Sequence, residues 1–125
     1  MKKGREFLIA FAISPILATS ACAHAMLLSA SPAVGAAETA PPGSIRLKFS
    51  EKIEPRLSEI RLTDESGHET ATGKVQSAKA NEVVATVDDQ SLSGRIEVYW
   101  RVVSVDGHAT EGRYHFLILT KETLP

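Results

Sequence analysis

The candidate metal ligands of this 125-residue chain are His24, Asp106 and His108. His24 directly follows Ala21-Cys22-Ala23, which has the Ala-x-Ala form of a signal-peptide cleavage site. Cleavage after Ala23 would make His24 the first residue of the mature chain. One residue would then carry both a free α-amine and an imidazole, and it would act as a bidentate nitrogen chelator.

Asp106 and His108 flank Gly107 in the stretch VDGH. Residues two apart point to the same side of an extended backbone, and Gly107 lets the chain turn closely around whatever they face. Asp-Gly is a common turn, so this pair is weak evidence by itself. Together with His24, however, the donors are an amine, two imidazoles and a carboxylate, an N,N,N,O set that suits Cu(II). Zinc can use the same donors, but it prefers tetrahedral geometry and lies below copper in the order of affinities.

The chain begins with the three-part layout of a secretory signal peptide. A positively charged start precedes an apolar run from Phe7 to Ala18, which is short for a membrane span and contains Pro15. We predict a signal peptide at residues 1–23, cut before His24. Two alternatives stay open: Ala23-His24-Ala25 also fits the cleavage pattern and would start the mature chain at Met26, and Cys22 would be the lipidated first residue of a lipoprotein.

Residues 24–125 are enough for one compact domain in the periplasm. The whole chain has 14 Lys and Arg against 15 Asp and Glu, and the predicted leader holds three of the basic residues and one acidic residue. The sequence has no basic patch typical of nucleic-acid binding and no second apolar segment typical of a membrane span. Cys22 is the only cysteine and would leave with the leader. The domain would therefore be stabilised by packing and not by a disulfide.

Apolar residues that recur at every second position predict an all-β fold. The clearest strand covers residues 95–104, where Ile96, Val98, Trp100 and Val102 share one face. The same alternation predicts strands near 26–31, 44–50, 56–64, 82–87 and 111–120, with the polar stretch 68–79 as an edge strand and 33–43 as a loop. About seven short strands separated by turns predict a single Greek-key β-sandwich or barrel, Ig-like or cupredoxin-like.

Three stretches, HAMLLSASPAVGA, IRLKFSEKIE and VYWRVVSVDGHATEGRYHFLI, resemble the start, middle and end of the CopC family of periplasmic copper-resistance proteins. The resemblance covers nearly all of the mature chain. It implies a Greek-key β-sandwich that binds one Cu(II) through His24 (amine and imidazole), Asp106 and His108. Our first hypothesis for the chain's function is a carrier or buffer in copper homeostasis, and not an enzyme. Members often work beside an inner-membrane copper transporter, although no residue here identifies such a partner.

The chain departs from those relatives that hold Cu(I) in a methionine-rich loop. The mature chain has only Met26, and the stretch around Gly67-His68 contains no methionine. Because Cu(I) prefers soft thioether or thiolate donors, we expect no dedicated Cu(I) site. We interpret His68 as a solvated turn residue, His115 as a surface or rim residue, and Trp100 as part of the core.

Two other classes of function were weighed against the copper carrier. An oxidative copper enzyme built on a histidine brace needs an open coordination position and an extended substrate surface, and this small domain has few aromatic residues for one. A metal-free Ig-like interaction module, anchored through Cys22, would be favoured if the mature chain began at the cysteine. The identity of the first mature residue separates this last alternative from the carrier.

Overall fold

The computed structural model describes residues 24–121, together with the single positions 4, 10 and 12. The predicted signal peptide therefore lies almost wholly outside the described residues, and so do residues 122–125. Across the described part of the chain, no helix has the length and apolar character needed to cross a membrane.

Residues 24–121 form two β-sheets and one turn of 3₁₀ helix at Pro55–Leu57. A four-stranded sheet has the order β1-β3-β7-β6, and a five-stranded sheet has the order β2-β9-β8-β4-β5. The chain changes sheet repeatedly, as a Greek-key sandwich requires. The strands are β1 (Leu27–Ser31), β2 (Ala37–Glu38), β3 (Ser44–Phe49), β4 (Glu59–Thr63), β5 (Glu69–Thr70), β6 (Gln76–Lys79), β7 (Glu82–Thr86), β8 (Gly94–Val103) and β9 (Ala109–Ile118).

The inward faces of both sheets form one apolar core. Alternate residues of β3 and β8 are buried, as their sequence pattern predicts. Phe49 of the four-stranded sheet meets Trp100 of the five-stranded sheet edge to face, with ring centroids 5.0 Å apart. Such aromatic pairs stabilise a core beyond the area that they bury. The predicted all-β sandwich is thus confirmed, and so is the core position of Trp100.

The structure departs from the sequence prediction at the two shortest strands. The stretch 68–79 contributes β5 to the edge of one sheet and β6 to the edge of the other, where we expected a single edge strand. The predicted loop 33–43 contains β2, which pairs in parallel with β9. Two-residue strands are too short to show an alternating pattern, so their pairing comes from tertiary contacts.

The hairpin of β8 and β9 determines where the candidate site lies. The two strands pair in unbroken antiparallel register from Gly94 opposite Ile118 to Val103 opposite Ala109. Trp100 lies opposite Gly112 in this ladder, and its indole ring covers the glycine. The pairing brings residues 104–108 to one end of the sandwich as a short connection between two long strands.

We expect Gly112→Ala to destabilise the domain, because a Cβ at this position would lie 2.4 Å from Cζ2 of Trp100. Overpacking of this kind typically costs about 1–3 kcal/mol. The midpoint of thermal unfolding should fall by roughly 4–8 °C for each kcal/mol in a domain of this size. Gly43→Ala is the control, since a Cβ there would have no atom within 4 Å. Equal melting temperatures for the two variants would contradict the packing of Trp100 on Gly112.

Candidate metal centre

The connection between β8 and β9 is a tight turn held by its own backbone. The Ser104 N–H donates to the His108 carbonyl at 2.9 Å, and the Gly107 N–H donates to the Ser104 carbonyl at 2.9 Å. Gly107 has a φ of +90°, a conformation that residues with a side chain rarely adopt. The backbone of the turn therefore depends on glycine between the two candidate ligands.

The turn brings the side chains of Asp106 and His108 together. Nδ1 of His108 lies 3.2 Å from Oδ2 of Asp106. Their spacing of two residues predicts a shared side on the assumption that the backbone is extended. That assumption is wrong, because residues 105–107 form a turn. The two side chains meet because the chain folds back at Gly107.

The other carboxylate oxygen of Asp106 is occupied by two donors from the same turn. Oδ1 accepts a short hydrogen bond from the Ser104 hydroxyl and a second one, at 3.1 Å, from the backbone N–H of His108. These bonds, led by the one from Ser104, lower the pKa of Asp106 to about 2. A carboxyl with a lowered pKa stays ionised at all pH values above it. Asp106 is consequently an anionic oxygen donor throughout the physiological range.

Both candidate ligands of the turn are open to solvent. The side chains of Asp106 and His108 are 44% and 68% exposed, whereas Ser104 beneath them is 2% exposed. The pair thus offers one nitrogen and one oxygen donor to solvent, while the Ser104 hydroxyl that is hydrogen-bonded to Asp106 is buried. An ion can reach it and leave it without any opening of the core.

His24 lies at the same end of the sandwich as this turn. Met26 exchanges two hydrogen bonds with Ser50: its N–H donates to the serine Oγ at 2.8 Å, and its carbonyl accepts from the serine N–H at 2.9 Å. Two residues further on, the Lys52 carbonyl accepts from the Val105 N–H at 3.0 Å. The segment 50–52 therefore connects the start of the domain to the residue before Asp106.

The side chain of His24 points away from the core. Ala25 is buried, with 2% exposure, while His24 and Met26 on either side of it are exposed. In the chain described here the nitrogen of His24 belongs to the peptide bond with Ala23. Within residues 24–121, no group of three or more His, Cys, Asp and Glu side chains is arranged to hold a metal ion. The structure brings Asp106 and His108 into contact and His24 to the same end of the molecule.

The two remaining histidines lie away from the turn. His68 is exposed at the turn between β4 and β5, where its backbone N–H donates to Asp64 Oδ1 at 3.0 Å. His115 is on the outer face of the five-stranded sheet, with Nε2 3.5 Å from Glu97 Oε2. These positions confirm the interpretation of His68 as a solvated turn residue and of His115 as a surface residue.

Sequence reasoning missed Ser104 and the segment 50–52. The available signal for Ser104 was its place directly after the strand residues WRVV and two residues before a candidate ligand. No local pattern marks Ser50 and Lys52, because their role comes from backbone hydrogen bonds to distant residues.

Comparison with known proteins places this chain in a family. Residues 27–118 match the CopC domain, a range that contains Asp106 and His108 and begins three residues after His24. The chain is 34% identical over 110 residues to copper resistance protein C of Xanthomonas campestris pv. juglandis, covering 82% of this chain and 86% of that protein. It is 35% identical over 118 residues to protein YobA of Escherichia coli K12, covering 90% and 93%.

Solved structures agree with the sequence comparison. CopC from Methylosinus trichosporium OB3b superposes with a TM-score of 0.71 at 32% identity, covering 82% of this chain and 100% of that one. PcoC, a methionine-rich copper resistance protein from Escherichia coli, superposes with a TM-score of 0.67 at 32% identity, covering 78% and 100%. The fold, the matched domain and these relatives together show that the chain belongs to the CopC family.

Proposed function

We propose that this protein is a periplasmic carrier or buffer for Cu(II), acting in copper homeostasis and resistance. The observation that carries the proposal is the contact between ionised Asp106 and His108 at the end of the sandwich where the domain begins. Relatives that cover most of the chain are named copper resistance proteins. Copper is the cargo in this proposal, and no catalysis is assigned.

The ligands that we propose for one Cu(II) ion are the α-amine and imidazole of His24, the imidazole of His108 and the carboxylate of Asp106. Cleavage before His24 would free the amine. Nitrogen donors with one carboxylate suit Cu(II), whereas Cu(I) prefers sulfur. Met26 is the only sulfur-containing residue among residues 24–125. The donor chemistry therefore favours Cu(II) as the cargo.

The chain's own residues explain how the ion would be held and released. The backbone bonds of the turn and those of segment 50–52 keep both halves of the donor set at one end before copper arrives. Donors that are already held in place lose less conformational entropy when the ion binds. Because His24, Asp106 and His108 are exposed, a partner's ligands can replace them one at a time. The proposed partner of this kind is an inner-membrane copper transporter.

The role of the α-amine can be tested by adding one glycine in front of His24, which turns the amine into an amide and changes no side chain. Cu(II) binding should weaken by roughly 100-fold or more, equivalent to about 2.7 kcal/mol. His108→Ala should cause a comparable loss, and His68→Ala, at the β4–β5 turn, is the matched control without effect. Competition titration against a Cu(II) chelator measures the affinities.

The reference for these titrations is exported protein whose first residue has been read by mass spectrometry. We expect it to begin at His24. A start at Met26, a lipidated Cys22, or an extended protein that binds Cu(II) as tightly as the reference would contradict the proposed ligand set.

The pH dependence of binding should come from the nitrogen donors. Protons compete with metal ions for amine and imidazole nitrogens, so Cu(II) affinity should fall from pH 7 to pH 5. Asp106, whose pKa is lowered to about 2, takes up a proton only as the pH falls toward that value, so it is not a competitor in this range. Asp106→Asn should weaken Cu(II) binding at both pH values, because it removes an oxygen donor that is ionised at both. His108→Ala should make the pH profile flatter, because it removes one nitrogen for which protons compete. Equal Cu(II) affinities of wild type and Asp106→Asn at either pH would contradict the role of Asp106 as an ionised ligand.

A further inference from the structure

Ser104 is a buried hydroxyl directly beneath two exposed side chains. It is 2% exposed, whereas Asp106 and His108 are largely open to solvent. A buried hydroxyl needs hydrogen-bond partners, because an unsatisfied one costs about 1–3 kcal/mol. Both acceptors within reach of the Ser104 hydroxyl are in the turn that carries the proposed ligands.

The backbone of Ser104 is fixed on both sides. Its N–H donates to the His108 carbonyl, and its carbonyl accepts from the Gly107 N–H, each at 2.9 Å. It also forms a single antiparallel bridge with Ile53, which follows segment 50–52. The position of the hydroxyl is therefore set by the hairpin on one side and by the segment next to the N-terminal residues on the other.

The hydroxyl has one proton and two acceptors within reach. Oδ1 of Asp106 is the nearer, and the His108 carbonyl lies 3.2 Å away. Donation to the charged carboxylate is favoured, since hydrogen bonds to ionised acceptors are about twice as strong as neutral ones. With the His108 N–H also donating to it, Oδ1 has two donors from the turn, and Oδ2 faces the imidazole of His108.

We propose that Ser104 is a positioning residue for copper: its hydroxyl holds Oδ1 of Asp106 so that Oδ2 is the oxygen presented, together with His108, to Cu(II). This inference rests on the proposed function and deepens it by naming the residue that orients the carboxylate. Groups that hold a metal ligand in place affect metal affinity even though they do not touch the ion.

The test compares Cu(II) affinity in the mature protein and in its Ser104→Ala variant. Loss of a residue that orients a ligand typically weakens metal binding by about 10- to 100-fold, and we expect a loss in that range. The paramagnetic resonance spectrum of bound Cu(II) should also shift, because the carboxylate is no longer held. Ser58→Ala is the matched control: the Ser58 hydroxyl accepts from the Val103 N–H at 3.2 Å at the same strand end, and its own bond goes to the Glu54 carbonyl. This control should leave both affinity and spectrum unchanged.

A double-mutant cycle separates positioning from a general effect on the turn. If Ser104 acts through Asp106, Ser104→Ala should have no further effect on Cu(II) affinity once Asp106→Ala is present. Losses that simply add would overturn the proposal, and so would an unchanged affinity in Ser104→Ala. If the wild-type protein fails to bind Cu(II), the proposed function itself is wrong. If the wild type binds tightly and Ser104→Ala does not alter the affinity, only the role of Ser104 is wrong.

A second pair of variants keeps the test valid if alanine at position 104 prevents folding. Ser104→Thr and Ser104→Val have the same shape and differ in a hydroxyl against a methyl group. Thermal unfolding of the copper-free proteins checks that both variants are folded. Threonine should retain most of the Cu(II) affinity and the wild-type spectrum, whereas valine should lose both. Equal binding by the two variants would overturn the role of the hydroxyl.

Discussion

The unbroken pairing of β8 with β9 is the constraint on which the candidate site depends. Ten consecutive residue pairs hold the two strands in register, and Trp100 packs across Gly112 within the ladder. The five residues left between the strands form a turn with little freedom of its own. An exposed ligand pair can therefore be well ordered, because its order comes from the hairpin and the core below it.

Exposed candidate ligands on a well-ordered turn suit a protein that must bind copper and then release it. A deeply buried site would hold the ion but would need the core to open for release. At this end of the sandwich, Asp106 and His108 face solvent while the Ser104 hydroxyl and the turn's backbone bonds keep the carboxylate oriented. In the proposed function, the buried hydroxyl and backbone bonds would set the affinity for copper, and the exposed side chains would allow its exchange.

Sequence patterns predicted the parts of the fold that alternate over five or more residues, including β3, β7, β8 and β9. They did not predict β2, nor that the stretch 68–79 forms two strands, β5 and β6, because a two-residue strand is too short to show an alternating pattern. The sequence also pointed to the proposed ligands of the turn, since Asp-Gly-His after a strong strand is a local signal. The role of Ser104 and the link from Met26 through segment 50–52 to Val105 could not be predicted. These contacts form only once distant strands have paired.

The central claim is that one Cu(II) ion is held between the first residue of the mature chain and the β8–β9 turn. Diffraction at the copper absorption edge from crystals of mature protein loaded with one equivalent of Cu(II) tests it most directly. We predict a single anomalous peak bonded to the amine and imidazole of His24, to Asp106 and to His108. A peak at His68 or His115, or copper bound to the turn while His24 points elsewhere, would contradict the account.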